Sequence, residues 1–180
     1  QEFEPYEAVA TTYQAISGAG KTFQDWPEME HNIIPYIGGE EEKSEREPLK
    51  LWGEIKNGVI ETAKEPQITC QCVRVPVLNG HTAAVFVKFR RKPSKEELVQ
   101  ALWDFKGIPQ KLGLPSAPKQ FIQYLEDDDR PQVSADVDYE NGMGVSVGRL
   151  REDLIYDYKF IGLSHNTVRG AAGGAVLCAE

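Results

Sequence analysis

At 180 residues, 41% hydrophobic and 27% charged, the chain has the composition of a soluble globular protein with one well-formed core. A net charge of −8 argues against nucleic acid or an anionic membrane as the main partner, and no apolar run approaches a membrane span. Three cysteines, at 70, 72 and 178 and without metal-type spacing, suit reduced thiols in a cytoplasmic setting better than a disulfide framework.

The chain opens QEFEPYEAV without an initiator methionine, which reads as a removed segment or as a piece of a longer protein. Residues 1–8 are acidic and extended in this reading. Helical character is predicted from Val9 through TTYQAISGAGKTFQDW. Glycines cost about 1 kcal/mol each inside a helix, so this one must be broken or packed very closely. NIIPYIGG, residues 32–39, reads as a connection. A charged helix is expected over residues 40–56, with Leu49, Leu51, Trp52 and Ile55 on its buried side and Pro48 as a point of interruption.

The stretch ITCQCVRVPVLNGHTAAVFVKF, residues 68–89, organises the rest. Ile68, Cys70, Cys72 and Arg74 share one parity of an alternating run, Asn79-Gly80 is a turn signal, and Val85, Val87 and Phe89 resume the alternation. Two strands around a turn are predicted. Ser94, with Glu97 three residues on, forms a capping box for a helix carrying Leu98, Ala101, Leu102 and Phe105. Residues 107–131 read as a long connection with a short extended piece at 120–125. Residues 133–138 and 144–149 read as a hairpin around Asn141-Gly142. Residues 155–163 read as a strand, and TVRGAAGGAVLCAE, 167–180, as a tightly packed helix. The fold class is α+β, a single domain with a mixed sheet flanked by helices.

Several residues are suited to chemistry. Arg74 is a permanent cation able to hold a carboxylate or phosphate by two hydrogen bonds, and His81 titrates near neutral pH. Glu40 and Lys43 lie three apart on one helical face, a carboxylate and an ammonium suited to a zwitterionic substrate that also bears phosphate. On their own, both read as an ordinary solvated helix start. Gln14 falls among small residues, and Asn166 is placed to cap the last helix. Residues 15–22, ending in GAGKT, satisfy a relaxed phosphate-loop pattern. The context that motif requires, a buried strand before it and a helix after it, is not evident, so the glycines are read as packing residues.

Taken in order, TYQAISGAGK, NIIPYIGGEEEK, CVRVPVLNGH and GLSHNTVRGAAGGAVL resemble the C-terminal catalytic and dimerisation domain of aspartate-semialdehyde dehydrogenase, closest to its archaeal and fungal branch. The resemblance implies a glyceraldehyde-3-phosphate-dehydrogenase-like C-terminal fold. It also implies NADPH-dependent reductive dephosphorylation of aspartyl 4-phosphate to aspartate 4-semialdehyde, on the route to lysine, methionine and threonine. By this resemblance His81 matches the general acid/base and Arg74 the residue gripping the substrate carboxylate. Glu40 matches the partner of the substrate amino group, and Lys43 contributes to phosphate binding. Gln14 matches the glutamine that positions the acyl group, and Asn166 a residue near the nicotinamide. A homodimer, or a tetramer built on it, is implied through this domain's sheet.

No cysteine here matches the family's nucleophile, and the glycine-rich dinucleotide fingerprint is absent. The N-terminal NADP-binding region is therefore expected to lie outside this chain. The chain alone is expected to be inactive and to bind NADP(H) weakly or not at all. The alternatives are a non-catalytic assembly module on the same fold and an N-acetyl-glutamyl-phosphate reductase relative. Glu40, suited to a free amino group, argues against the latter.

Overall fold

The computed structural model describes residues 2–180. Six strands form one mixed sheet in the order β4-β1-β5-β8-β7-β6. They are β1 (Pro5–Gln14), β4 (Gln67–Arg74), β5 (His81–Phe89), β6 (Ile122–Leu125), β7 (Val145–Glu152) and β8 (Tyr158–Ser164). β1 runs parallel to β4 and β6 parallel to β7, while the other pairs are antiparallel. A two-stranded ribbon, β2 (Glu54–Lys56) with β3 (Val59–Glu61), stands apart. The helices are α1 (Glu40–Leu51), α2 (Lys95–Asp104), α3 (Ile108–Leu112), α4 (Val133–Asp136) and α5 (Gly173–Ala179).

The largest departure from the sequence reading is β1. Residues 5–14 are not helical but form an internal strand, with β4 on one side and β5 on the other. Val9, Thr11, Thr12 and Tyr13 are residues that favour a pleated surface, and two neighbouring strands satisfy both edges of their backbone. The glycines that would have burdened a helix follow in a 3₁₀ turn, Ile16–Ala19, closed by Gly20 at φ 68°. A strand therefore does precede GAGKT, but no α-helix follows it, so the phosphate loop is not built.

The strand pair around Asn79-Gly80 is also rearranged. β4 and β5 both exist, yet they do not pair, because β1 lies between them. Residues 75–78 instead cross the end of β1, with the Ile16 amide donating to Val77 O at 2.9 Å and that of Ser17 to Leu78 O at 3.2 Å. Gly80, at φ 95°, closes the connection where a Cβ would lie 3.0 Å from Val137 Cγ2.

α1 stops at Leu51, five residues short of the predicted end, and Pro48 lies within it without ending it. Leu51 and Ile55 face solvent, at 84% and 79% exposure, and Trp52 is 39% exposed; only Leu49 of the predicted buried side turns inward. Its sheet-facing side is polar: Glu41 and Glu45 accept from the Cys72 and Cys70 amides of edge strand β4, at 3.1 and 3.0 Å. α2 carries the expected capping box, with the Glu97 amide donating to Ser94 Oγ at 3.1 Å and the Ser94 amide to the Glu97 carboxylate at 2.7 Å. Phe105, after its last turn, is nevertheless 47% exposed.

The core lies under α2, where Val87, Tyr124, Val147, Leu150 and Tyr158 are buried with Leu98 and Leu102 against them. A bulge at Arg149, φ 57°, lets both Val147 and Leu150 point into it. The first limb of the hairpin expected at 133–138 is instead the short helix α4; only β7 forms from its second limb. The last segment begins with a π-helical turn, Val168–Ala172, before α5, and of its residues only Leu177 is buried. Gly173 shows the tight packing expected of its small residues, since a Cβ there would lie 2.5 Å from Met143 Sδ, whereas Gly170, Ala171, Ala172 and Ala175 are exposed.

Candidate active site

Strand register gathers the reactive groups at one end of one sheet face. Gln14 ends β1 beside Arg74, which ends β4. His81 begins β5 opposite Ser164 at the end of β8. Across this cluster stand Ser17 and Gly18 of the 3₁₀ turn, Glu40 and Lys43 of the first turn of α1, and Asn166, Thr167, Gly170 and Ala171 before α5. Together they line a cleft of about 580 Å³. The six residues singled out from sequence, Gln14, Glu40, Lys43, Arg74, His81 and Asn166, all border it. A groove of comparable size, about 520 Å³, lies between α2 and the sheet, but its walls are mainly apolar and its Tyr158 hydroxyl already donates to Pro93 O at 2.8 Å.

Arg74 is 6% exposed, and its Nη1 donates to the Ala15 carbonyl at 2.6 Å. That leaves the remaining guanidinium donors free to meet an anion. Burial lowers its pKa, and Glu40 opposes that shift; a guanidinium stays charged regardless. Burial also lowers the His81 pKa, as does Arg74 nearby, while the Gly80 backbone and Glu40 pull it back up. The neutral imidazole is therefore favoured at neutral pH. The Ala15 amide donates to His81 Nδ1 at 3.2 Å, so in this arrangement the ring proton sits on Nε2, the nitrogen nearer Gly18.

Glu40 pairs with Lys43 at 2.7 Å, and this contact, more than any other, holds its carboxyl below the usual range and raises Lys43. Gln14 is 5% exposed, with its amide donating to Thr12 Oγ1 at 3.2 Å. Asn166 is a clasp: its Oδ1 accepts from the Gly80 amide at 2.8 Å and its Nδ2 donates to Ser17 Oγ at 2.9 Å. Next to it, buried His165 accepts at Nδ1 from the Thr167 and Val168 amides, each at 3.3 Å. Asn166 thus ties the turn before His81 to the turn carrying Gly18.

Neither Cys70 nor Cys72 lines the cleft. Both are buried beneath α1 with their sulfurs 3.8 Å apart. Burial, with Cys72 beside it, pushes the Cys70 thiol up to about 11, so it is not a thiolate at neutral pH. Cys178 is exposed on α5. Sequence reasoning missed Ser17, Gly18, Ser164 and Thr167 as lining residues. Gly18 and Ser17 were within reach through the ISGAGK motif, but Ser164 enters only through the β5–β8 register.

The fold and the cleft define a class: an α+β domain of the glyceraldehyde-3-phosphate-dehydrogenase C-terminal type, with His81 and Arg74 side by side in a polar cleft at one end of its sheet. Residues 1–169 match the semialdehyde dehydrogenase dimerisation domain, and the chain belongs to that family. Aspartate-semialdehyde dehydrogenase of Saccharomyces cerevisiae is 46% identical over 189 residues, covering 100% of this chain and 52% of that protein. Its counterpart in Methanothermobacter thermautotrophicus is 44% identical over 174 residues, covering 94% and 49%. The crystal structure of aspartate-semialdehyde dehydrogenase with NADP from Candida albicans superposes with a TM-score of 0.85 at 40% identity, over 97% of this chain and 49% of that one. The chain spans about half the length of the relatives it matches.

Proposed function

We propose that this chain is the substrate-binding and dimerisation part of an aspartate-semialdehyde dehydrogenase, the enzyme that converts aspartyl 4-phosphate to aspartate 4-semialdehyde. The observation that carries this reading is the convergence of Gln14, Glu40, Lys43, Arg74 and His81 on one cleft. Arg74, buried and with free donors, holds the substrate α-carboxylate. Glu40 takes the α-ammonium, and Lys43, released from Glu40 as that happens, is left to meet phosphate. Gln14 orients the acyl group beside them. His81 moves the proton to and from the attacking group, a task its lowered pKa suits because the base form is present at neutral pH.

The residues present do not fit a dinucleotide. Holding one requires a glycine-rich turn from a strand into a helix N-terminus, and the GAGKT turn leads into no α-helix. Both ends of the Asn166 amide are engaged within the chain. The NADP site and the nucleophilic cysteine belong to sequence other than these 180 residues, which by themselves are inactive; Asn166 then contributes to the nicotinamide side of the cleft as a wall.

Oligomerisation uses the opposite face of the sheet. Val9, Thr11, Ala84, Phe86 and Ile161 are partly exposed there and Tyr13 is 39% exposed, while Leu163 at one margin is covered near Val133 and Val137. A second copy covering this face gives the homodimer.

The test is a chimera in which this chain replaces the corresponding half of the Saccharomyces cerevisiae relative, assayed for phosphate-dependent oxidation of aspartate semialdehyde with NADP. Activity that collapses in His81→Ala supports the reading. A folded chimera without activity overturns it in favour of an assembly module.

A further inference from the structure

Ala15 joins Arg74 to His81 through its two backbone polar groups. Its carbonyl accepts from Arg74 Nη1 at 2.6 Å and its N–H donates to His81 Nδ1 at 3.2 Å. Ala15 is fully buried, and the peptide groups on both sides are pinned elsewhere. Gln14 O accepts from the Val75 amide at 3.0 Å, and the Ile16 amide donates to Val77 O at 2.9 Å. Gly18 lies against both side chains: a Cβ there would stand 3.0 Å from Arg74 Nη1 and 3.1 Å from His81 Nε2. Those two distances meet at one point, so the guanidinium and the ring nitrogen are at most about 6 Å apart, inside the range where a neighbouring charge moves a titration.

Two features of this arrangement oppose a proton on His81, against the Gly80 backbone, which favours one. The guanidinium repels a second positive charge, and more strongly in a cleft partly withdrawn from water. The Ala15 N–H presents a donor to Nδ1, which only the neutral ring can accept. The other charged groups facing the ring are Glu40 and Lys43 on α1, already paired at 2.7 Å, while Gln14, Ser17, Ser164, Asn166 and Thr167 are neutral. His165, on the loop after β8, turns its Nδ1 to the Thr167 and Val168 amides and lies 3.9 Å from Asp138 through Nε2. Without ligand, the local balance around His81 is one positive charge, that of Arg74.

We propose that occupation of Arg74 by a ligand carboxylate makes His81 the stronger base, and that Ala15 and Gly18 are the positioning residues that hold the pair close enough for this coupling. The proposal rests on the reading of Arg74 as the carboxylate holder. Its consequence is an ordered sequence. In the empty cleft His81 stays neutral; once the carboxylate has cancelled the guanidinium charge, the ring accepts a proton more readily and keeps it until it is needed. A small molecule lacking a carboxylate then enters the cleft without arming the base.

The test is a histidine titration by long-range proton–nitrogen NMR on the 15N-labelled chain, with His81 assigned by its loss in His81→Gln and L-aspartate as the probe. Saturating aspartate should move the His81 midpoint to higher pH. Arg74→Gln should move it upward without aspartate and abolish the further response, whereas Arg74→Lys, which keeps the charge, should leave it low. If aspartate perturbs the Gly18 amide and the Arg74 side chain but leaves the His81 midpoint in place, the coupling is overturned and the carboxylate reading stands. If aspartate perturbs neither group, the carboxylate reading falls, and the ligand-driven coupling with it. Equal upward shifts in Arg74→Lys and Arg74→Gln would mark the effect as structural and also overturn the proposal.

Discussion

The carboxylate of Glu41 accepts the backbone amide of Cys72 at 3.1 Å, so helix α1 is fastened to the edge of the sheet by a side chain. Glu45 takes the Cys70 amide in the same way at 3.0 Å. The spacing is what makes this possible. Residues four apart on a helix rise about 6 Å, and residues two apart on a strand rise about 6.6 Å, so successive glutamates meet successive outward amides of β4. An edge that would otherwise offer unpaired donors is closed. Replacing both glutamates with alanine should lower stability by about 2–4 kcal/mol, since each leaves a partly buried amide without its charged acceptor. Urea denaturation monitored by tryptophan fluorescence would measure it, and a loss within error would show that water replaces the carboxylates.

Asp136 should matter through its effect on the turn before His81. Its side chain is 2% exposed, engages Arg130 at two oxygens, and accepts from the Gln132 amide at 2.7 Å. That network fixes α4, whose Val133 packs beside Gly80 with Val137 just beyond the helix. Asp136→Asn removes the charge while keeping the shape, and leaves Arg130, itself partly exposed, without its partner. A loss of about 2–3 kcal/mol is expected, below the roughly 3–5 kcal/mol of a fully buried pair because Arg130 still reaches water. Thermal unfolding gives the stability, and the NMR line shape of His81 reports whether the ring loses its fixed position.

Gly18→Ala should damage the site more than the fold. Gly18 is exposed and not at positive φ, so alanine suits its backbone, yet the new Cβ would press on Arg74 Nη1 and His81 at 3.0–3.1 Å. The melting temperature should change little. In the yeast chimera, turnover should fall by about 10-fold, because Arg74 and His81 must give way by less than the misplacement of about 1 Å that costs about 100-fold at a reacting group. A large drop in melting temperature with unchanged turnover per folded molecule would reverse this assignment.

Acid should destabilise the chain in two separable windows. His81 has a lowered pKa in the folded state, chiefly through burial, so between that value and its ordinary 6.5 the unfolded chain binds more protons. Stability linked to His81 is therefore complete above pH 6.5 and is lost as pH falls below it. Glu40 and Asp136 are lowered by Lys43 and Arg130 respectively, and their contributions are lost only further down, as pH falls below about 4. Stability measured from pH 8 to 3 should decline in two steps, and His81→Gln should remove the upper one alone.

Elements whose reasons are local were legible in the sequence: the Ser94–Glu97 capping box, the alternation of Cys70, Cys72 and Arg74, and the glutamates opening α1. Elements decided by distant partners were not. β1 reads as a helix until β4 and β5 stand on either side of it, and the apparent β4–β5 hairpin is divided by a strand that precedes both. Arg74, His81, Glu40 and Lys43 stood out by their chemistry, but their grouping with Gln14 and Asn166 came through motif resemblance, because nothing in local spacing says that Gln14, Arg74 and Asn166 meet. The glutamates of α1 are the instructive case. Their place on a helix start was readable, but their turn toward a sheet edge depends on the register of a strand some thirty residues away.

The face opposite the cleft carries the last prediction. Phe86 lies at its centre on β5, with Ile161 cross-strand from Ala84 and Val9 cross-strand from Phe86 itself. Lys159, 5.9 Å from the Phe86 ring, and Tyr156, 6.0 Å from it, mark one margin. If a second copy covers this face, Phe86→Glu buries an unpaired carboxylate at the interface, which a dimer cannot tolerate. Light scattering at tens of micromolar should give a dimer for the native chain and a monomer for Phe86→Glu, with the fold retained because the side chain is only partly buried within one copy. A dimer that survives Phe86→Glu would move the contact elsewhere. The exposed ribbon at Ile55 and Val59 would then be the next surface to substitute.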